Sequence, residues 1–335
     1  MKSLVYVANH RVEIQERPVP EPGPGEALLK VAAAGICGSD VDGFLGRSRK
    51  RIPPLVMGHE FSGTLVQDRD DGSLKAGQRV SVLPLRGCGA CGYCASGRTN
   101  MCPGRVLIGM DVPGAFAEYV TAPRDALYPL PDKVSEAEAV FAEPLANGIH
   151  LSRLLPSPTP ESALVLGSGT IGLLAIAVLK RAGVRTIVAT DTNAARLGVA
   201  REMGAAAGVL ASRPDTVSQI EETMGKAPLI IDCIGRGETR ALGIQAAAPG
   251  ALIVWIGQYD GEMAGEARDV TTKELTIKGS YGYTRDDFEQ SLMTIGDEPA
   301  TFRRLVTLEP LEKGQHIFEM LVSNPGGTVK VALVP

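Results

Sequence analysis

A glycine-rich turn at residues 167–172 constrains the fold of this chain more than any other segment. Its G-x-G-x-x-G spacing follows the apolar run 163–166 and opens an apolar stretch that begins at Thr170 and ends before Gly183. Such spacing means little alone, but between a predicted strand and a predicted helix it indicates a βαβ unit that cradles a dinucleotide. We therefore expect a doubly wound parallel sheet in this part of the chain.

The rest of the sequence indicates a second domain of different character. The chain has 335 residues, which is longer than a single hydrophobic core usually grows. Strand-like and helix-like segments alternate over residues 163–256, whereas residues 1–150 contain short alternating runs punctuated by Gly and Pro. A proline-rich stretch at Pro156, Pro158 and Pro160 separates the two regions. The prediction is an α/β fold in which a compact β-rich domain precedes the parallel sheet.

The glycine-rich turn also predicts the cofactor. Its first glycine permits a tight turn, the second lets a pyrophosphate approach the backbone, and the third lets the helix pack closely on the strand. Asp191 ends the next predicted strand, where a carboxylate accepts hydrogen bonds from ribose hydroxyls and repels a 2′-phosphate, so we expect NAD rather than NADP. The predicted nucleotide-binding residues are Gly167, Gly169, Thr170, Ile171, Gly172, Asp191 and Arg196.

Four closely spaced cysteines predict a structural metal site. They are Cys88, Cys91, Cys94 and Cys102. Four thiolates can close around one zinc ion within a short loop, and they leave no coordination position open for chemistry. Six cysteines in the whole chain also allow three disulfides, but the C-x2-C spacing favours metal. Outside the cluster, Cys233 lies in an apolar run, which is typical of a buried packing residue.

A second group of side chains has the mixed ligands of a catalytic zinc site. The candidate ligands are Cys37, His59, Glu60 and Glu143. Sulfur, nitrogen and oxygen donors with one open position suit a zinc ion that polarises an alcohol oxygen. The sequence leaves open whether Glu60 or Glu143 binds the metal directly.

Composition and charge narrow the class of partner. The formal net charge is -4, so no basic excess is available to hold a nucleic-acid backbone. The N-terminus reaches charged and proline-rich sequence before a signal peptide or a membrane span can be completed. We expect no nucleic-acid or membrane partner and a cytoplasmic location.

Taken together, these motifs resemble the zinc-dependent medium-chain alcohol dehydrogenase family over nearly the whole chain. The matching segments, in family order, are residues 35–40, 58–60, 88–102, 143–145 and 167–172. Within the family, the chain is most similar to the polyol branch, which includes sorbitol, galactitol-phosphate and threonine dehydrogenases. In that branch a Glu occupies the position that many simple alcohol dehydrogenases fill with Cys, and Glu143 matches that Glu. The resemblance implies a GroES-like catalytic domain at residues 1–152, completed by residues 283–335, and a Rossmann NAD-binding domain at residues 153–282.

The resemblance also implies catalytic roles. Ser39 matches a hydroxyl that receives the substrate proton, and Asp40 matches a carboxylate that orients the metal-bound His59. Glu60 is predicted as a catalytic residue as well as a metal-site residue. Where the family often has a histidine that passes the proton on, this chain has Asp42. Either that carboxylate or cofactor hydroxyls and water would carry the proton onward.

The implied activity is oxidation of a secondary alcohol of a polyol or a related hydroxylated metabolite, with hydride passing to NAD. The alternative substrates are a phosphorylated polyol, an aminocyclitol or a threonine-like amino alcohol. The alternative from a different class of protein is a non-catalytic nucleotide-binding relative. A basic run either clamps an anionic substrate or forms a solvated loop; it contains Arg47, Arg49, Lys50 and Arg51. Members of this branch are often tetramers, which implies a homo-oligomer, either tetramer or dimer.

Overall fold

The computed structural model describes residues 1–68, 74–259 and 263–335, which divide into two compact units. Unit 1 comprises Met1–Ala146 and Tyr283–Pro335, and unit 2 comprises Asn147–Gly282. The sequence predicts boundaries after residues 152 and 282, and this division falls after Ala146 and Gly282. Among the described residues, no helix has both the length and the apolar character needed to cross a membrane.

Unit 1 is rich in short strands, as its Gly and Pro punctuation predicts. Its strands are β1 (Lys2–Ala8), β2 (Arg11–Glu16), β3 (Glu26–Gly35), β4 (Leu55–Val56), β5 (Glu60–Leu65), β6 (Arg79–Val82), β7 (Leu85–Arg86), β8 (Val106–Leu107), β9 (Tyr119–Pro123) and β10 (Leu127–Pro129). Its helices before the boundary are α1 (Gly38–Phe44), α2 (Gly92–Ala95) and α3 (Glu136–Ala139), and α4 (Ala142–Ser152) continues into unit 2.

Unit 2 alternates strands with helices. Its strands are β11 (Ser162–Leu166), β12 (Thr186–Asp191), β13 (Ala207–Leu210), β14 (Ala227–Asp232), β15 (Ala247–Trp255) and β16 (Thr276–Gly279). Its helices are α5 (Thr170–Arg181), α6 (Ala194–Glu202), α7 (Thr216–Met224), α8 (Gly237–Ala246) and α9 (Ala267–Thr272). The chain then returns to unit 1 with α10 (Arg285–Asp297), α11 (Pro299–Arg303), β17 (Val306–Pro310), α12 (Gly314–Ser323) and β18 (Lys330–Val334).

The main sheet of unit 1 joins the two ends of the chain. Its strand order is β10-β6-β5-β3-β18-β17, with β9 paired to β3 beside this path. Gly35 on β3 pairs with Glu60 on β5 and also with Ala332 on β18. The last strand of the chain therefore lies next to the strand that leads into Cys37.

The sheet of unit 2 is parallel throughout, in the order β13-β12-β11-β14-β15-β16. Its central strands are continuous apolar runs because helices cover both faces of a parallel sheet. Leu164, Val188, Ile230 and Ile253 are all completely buried in this core. The doubly wound fold predicted from the alternating pattern is confirmed, although β14 begins and ends two residues earlier than the predicted run 229–234.

Candidate metal and nucleotide sites

Cys37, His59 and Glu60 come together in unit 1. Each offers one ligand atom, and these atoms all lie within 4.8 Å of one another. The pairing of β3 with β5 places Gly35 opposite Glu60, which brings the segment after β3 close to the start of β5. This is the group of mixed sulfur, nitrogen and oxygen donors that suits a catalytic zinc ion.

Glu60 is held by a buried ion pair that the sequence analysis did not predict. Lys330 Nζ lies 2.5 Å from Glu60 Oε2 and also donates to the carbonyl of Ile36 at 3.1 Å. The side chains of Lys330 and Glu60 are only 2% and 1% exposed. Burial acts to lower the pKa of Lys330, but the negative charges of Glu60 and Cys37 outweigh it and raise that pKa above its ordinary value.

The second oxygen of this carboxylate fits a cation. Within the described residues, Glu60 Oε1 is buried and accepts no hydrogen bond. A buried acceptor without a partner costs free energy, and a metal ion bound between Cys37, His59 and Glu60 would satisfy it. The donor set and this oxygen therefore fit zinc.

Asp40 lies beside the histidine. Its Oδ1 is 3.5 Å from His59 Nδ1, and its Oδ2 accepts a hydrogen bond from the Cys37 backbone N–H at 3.1 Å. Burial acts to raise the pKa of Asp40, but His59 and Arg51 lower it below its ordinary value. Burial acts to lower the pKa of His59, but Asp40 and Cys37 raise it well above its ordinary value. The same negative surroundings favour a bound cation.

Glu143 lies near this group without joining it. Among the described residues, the group whose ligand atoms lie within 4.8 Å of one another includes Glu60 but does not include Glu143. Burial first, and then the charge of Glu60, raise the pKa of Glu143, against the opposing effects of His59, Tyr283 and Lys330. Tyr283 is 2% exposed, and burial first and then Glu143 raise its pKa well above the ordinary value. Tyr283 is a buried neighbour of Glu143 that the sequence analysis did not identify.

The four cysteines form a separate group. Cys88, Cys91, Cys94 and Cys102 each offer a sulfur, and the four sulfurs lie within 4.8 Å of one another. All six cysteines of the chain lie among the described residues, and each is a free thiol. Hydrogen bonds, first from the Ala90 N–H and then involving Cys102 and Cys91, lower the pKa of Cys88 to about 6. Burial instead raises the pKa of Cys94 to about 11, and a bound metal ion would deprotonate a coordinating thiol outright.

The glycine-rich turn lies at the carboxyl edge of the unit 2 sheet, between β11 and α5. A Cβ on Gly172 would lie 1.8 Å from the carbonyl oxygen of Gly167, so only glycine permits this close approach. Gly169 caps α5, and Thr170 and Ile171 are its first residues. The backbone N–H groups at this helix end are placed to receive phosphate oxygens.

Asp191 lies beside the turn at the end of β12. Its Oδ2 accepts a hydrogen bond from the Ser168 N–H at 2.9 Å, and its Oδ1 accepts one from the Asn193 N–H at 2.8 Å. Arg196 follows on α6, and within the described residues no hydrogen-bond partner reaches its buried Nε. The structure thus brings Asp191 to the glycine-rich turn.

The four basic side chains between Cys37 and His59 differ in their surroundings. Arg47 pairs with Asp42 at 3.8 Å, and Lys50 pairs with Asp111 at 3.7 Å. Arg51 turns inward, and Arg49 is exposed. Arg51 therefore differs from the three exposed members of the run in burial and in partners.

Comparisons with known proteins agree with this architecture. The family model for the alcohol dehydrogenase GroES-like domain matches residues 23–132, and the model for zinc-binding dehydrogenases matches residues 170–297. The chain is 32% identical to L-threonine 3-dehydrogenase of Anaeromyxobacter sp. strain Fw109-5, over 98% of both chains.

Solved structures are similar over the whole length. An alcohol dehydrogenase of Escherichia coli CFT073 in complex with NADH has a TM-score of 0.90 and 28% identity, covering 100% of this chain and 99% of that one. Galactitol-1-phosphate dehydrogenase from Escherichia coli also has a TM-score of 0.90, with 27% identity and 100% coverage of both chains. This chain therefore belongs to the zinc-dependent medium-chain alcohol dehydrogenase family, in its polyol branch, and is an alcohol or polyol dehydrogenase.

Proposed function

We propose that this chain oxidises a secondary alcohol of a polyol, or of a related hydroxylated metabolite, to a ketone with NAD. The observation that carries the proposal is the meeting of Cys37, His59 and Glu60 within 4.8 Å. The hydroxyl of Ser39 follows two residues after Cys37 in the same segment. A metal site and a proton acceptor are thus adjacent, as alcohol oxidation requires.

The residues of unit 1 have separate roles at this site. A zinc ion held by Cys37, His59 and either Glu60 or Glu143 would supply Lewis acidity to the alcohol oxygen. Ser39 accepts the proton of the substrate hydroxyl, because a serine oxygen can accept one proton while it releases another. Asp40 orients His59, and Lys330 fixes one oxygen of Glu60.

The glycine-rich turn of unit 2 holds the nucleotide. NAD bound there would accept the hydride. The carboxylate of Asp191 supports NAD over NADP, since a 2′-phosphate beside it would meet a like charge. Similar solved dehydrogenases hold NADH or NADP, so the choice of NAD rests on Asp191.

The experiment that tests this function is NADH formation by the purified zinc-loaded enzyme. The substrates are free polyols and cyclitols, their phosphates, an aminocyclitol, simple secondary alcohols and threonine, each with NAD and with NADP. We expect an uncharged polyol with NAD to give the highest kcat/KM. No reduction of either nucleotide by any substrate, with zinc and NAD shown to be bound, would favour the non-catalytic alternative.

A phosphorylated or amino-alcohol substrate is the second candidate. Its support is the similarity to galactitol-1-phosphate dehydrogenase and to L-threonine 3-dehydrogenase. Arg47 and Arg49 are the exposed arginines of the basic run. If a phosphorylated polyol is preferred and Arg47→Ala with Arg49→Ala raises its KM severalfold, the second candidate replaces the first.

We also propose a second zinc ion, bound by the four-cysteine cluster in a structural role, and a homo-oligomer. Reduced thiolates as ligands support a cytoplasmic location. The edge strand β16 supports association, because within the described residues it pairs only with β15 and its side chains are mostly exposed. A monomer mass by light scattering would contradict the oligomer.

A further inference from the structure

Arg51 is buried beside Ser39, although it belongs to a loop of basic residues. Only 5% of Arg51 is exposed. Its Nη2 donates a hydrogen bond to Ser39 Oγ at 2.9 Å and lies 3.3 Å from Asp40 Oδ1. Removing a guanidinium from water costs free energy that only well-placed partners offset. A merely solvated loop would not bury this side chain.

The residues around Arg51 leave room for its side chain and hold it in place. Gly43 lies on α1 where a Cβ would stand 2.6 Å from Arg51 Cδ, so a larger residue would displace the side chain. At the tip, Arg51 Nη1 contacts Met110 Sδ at 3.6 Å. At the backbone, the Arg51 N–H donates to Ser48 Oγ at 3.1 Å. Arg51 is thus held at both ends.

The hydrogen bond from Arg51 determines how Ser39 can act. A serine hydroxyl has one hydrogen and two lone pairs, whereas a guanidinium only donates. Arg51 therefore occupies one lone pair of Ser39 Oγ and directs the other lone pair and the hydrogen elsewhere. The second lone pair can accept a proton, and the hydroxyl hydrogen can be passed on.

Arg51 also supplies a permanent positive charge beside a buried carboxylate. Asp40 is 0% exposed, and its Oδ1 faces both Arg51 and His59. A metal-binding histidine must be deprotonated at its ligand atom, so it brings no full charge of its own. The guanidinium does not deprotonate in proteins. It therefore balances Asp40 in every state of the site.

We propose that Arg51 is a positioning residue of the proton relay, which fixes the Ser39 hydroxyl and neutralises Asp40. The proposal rests on the function proposed above for Ser39. In the relay, the substrate O–H bond breaks as a new O–H bond forms on Ser39 Oγ, and the original serine proton leaves to water. Ser39 ends neutral, and Arg51 gains or loses no proton.

The test compares Arg51→Met, Arg51→Lys and Gly43→Ala with the wild-type enzyme loaded with zinc and NAD. The measurements are kcat, the KM for alcohol and for NAD, the solvent deuterium isotope effect on kcat, the zinc content and the thermal midpoint. Arg11→Met is the control, because it removes an exposed arginine of the same unit that pairs with Glu13.

We expect Arg51→Met to lower kcat by roughly 10- to 100-fold, a part of the usual general acid–base contribution. The KM values, the zinc content and the control should change little, and the solvent isotope effect should rise because proton transfer becomes slower. Arg51→Lys should recover part of kcat, since it keeps the charge. Gly43→Ala should also lower kcat, because it displaces the arginine while keeping every charge, so the proposal stays testable if Arg51→Met does not fold.

Ser39→Ala separates this proposal from the function on which it rests. If Ser39→Ala keeps full kcat, the relay itself fails. If Ser39→Ala lowers kcat but Arg51→Met, or Gly43→Ala where Arg51→Met does not fold, keeps both the kcat and the isotope effect of the wild type, the role of Arg51 alone is overturned. A loss of kcat that follows a loss of zinc would show a structural role and would also overturn it. With Ser39→Ala already present, Arg51→Met should cause little further loss.

Discussion

The four-cysteine cluster and the Cys37–His59–Glu60 group both gather metal-binding side chains, but they are assembled in different ways. The cluster takes all its sulfurs from residues 88–102. The other group takes its donors from the segment after β3 and the start of β5, and its carboxylate is held by Lys330 on the last strand of the chain.

The way each metal site is assembled follows from whether its zinc ion takes part in catalysis. Four thiolates satisfy a zinc ion completely, so a local loop is sufficient and the metal only shapes that loop. A catalytic site must leave a position open and still hold each donor in place, which requires support beyond the ligands themselves. Here that support comes from Lys330 on Glu60 and from Asp40 on His59.

The largest effect should follow from removing a donor of the open site. Cys37→Ala should lower kcat by roughly 10³-fold or more, because several kcal/mol of charge stabilisation by the metal is lost. Zinc analysis should show one ion per chain instead of two, with a smaller fall in the thermal midpoint than loss of the cluster zinc causes. Cys233→Ala, which removes a thiol outside both groups, is the matched control and should keep its activity. An active Cys37→Ala enzyme with one zinc ion would contradict the assignment.

The next effect concerns the support of Glu60. Lys330→Met should lower the free energy of unfolding by about 3–5 kcal/mol, because it leaves a buried carboxylate without its partner. Denaturant unfolding measures this change. The double variant Lys330→Met with Glu60→Gln should recover part of the loss, since the charge is then removed as well. A cost below about 1 kcal/mol for the single variant would mean that the pair does not hold the site.

The four-cysteine cluster and the Cys37–His59–Glu60 group also differ in how much of each the sequence predicts. The cysteine cluster and the turn between Gly167 and Gly172 are local, so spacing alone indicates them. The partnership of Glu60 with Lys330 depends on β18 lying beside β3, which no local pattern encodes. Lys330 stands in an apolar run at the end of the chain, and a charged residue in such a run is the one signal that was present.

For Arg51, the local sequence suggests the wrong surroundings. Its three basic neighbours at residues 47, 49 and 50 suggest a solvated or anion-binding loop. The structure buries Arg51 against Ser39 and Asp40, because Gly43 leaves room for its side chain. Composition of a loop therefore says little about where one of its members points. The family and the fold were predictable, whereas these tertiary contacts were not.

A smaller effect is expected away from both metal groups. Asp191→Ala should raise the KM for NAD by roughly tenfold, because a charged hydrogen-bond acceptor for the ribose is lost. The preference for NAD over NADP should narrow, and the zinc content should stay at two per chain. Steady-state kinetics with both nucleotides measure this. An unchanged nucleotide preference would show that the selectivity lies elsewhere.

The smallest effect on turnover should follow from a change in the cluster. Cys91→Ser should release the structural zinc and lower the thermal midpoint, while kcat at low temperature falls by less than about tenfold, because a closed site takes no part in chemistry. Activity and zinc content measured on the same samples test this. A loss as large as that of Cys37→Ala would remove the distinction between the two sites.

The central claim is that the open and closed sites are functionally separate, and stepwise removal of zinc tests it most directly. The enzyme is dialysed against a chelator, and activity, zinc per chain and thermal midpoint are followed together. We predict that activity disappears with loss of the first zinc ion, that the larger fall in the midpoint comes with the second, and that added zinc restores activity. Activity that persists after the first ion is lost and falls only with the second, together with the midpoint, would contradict the account.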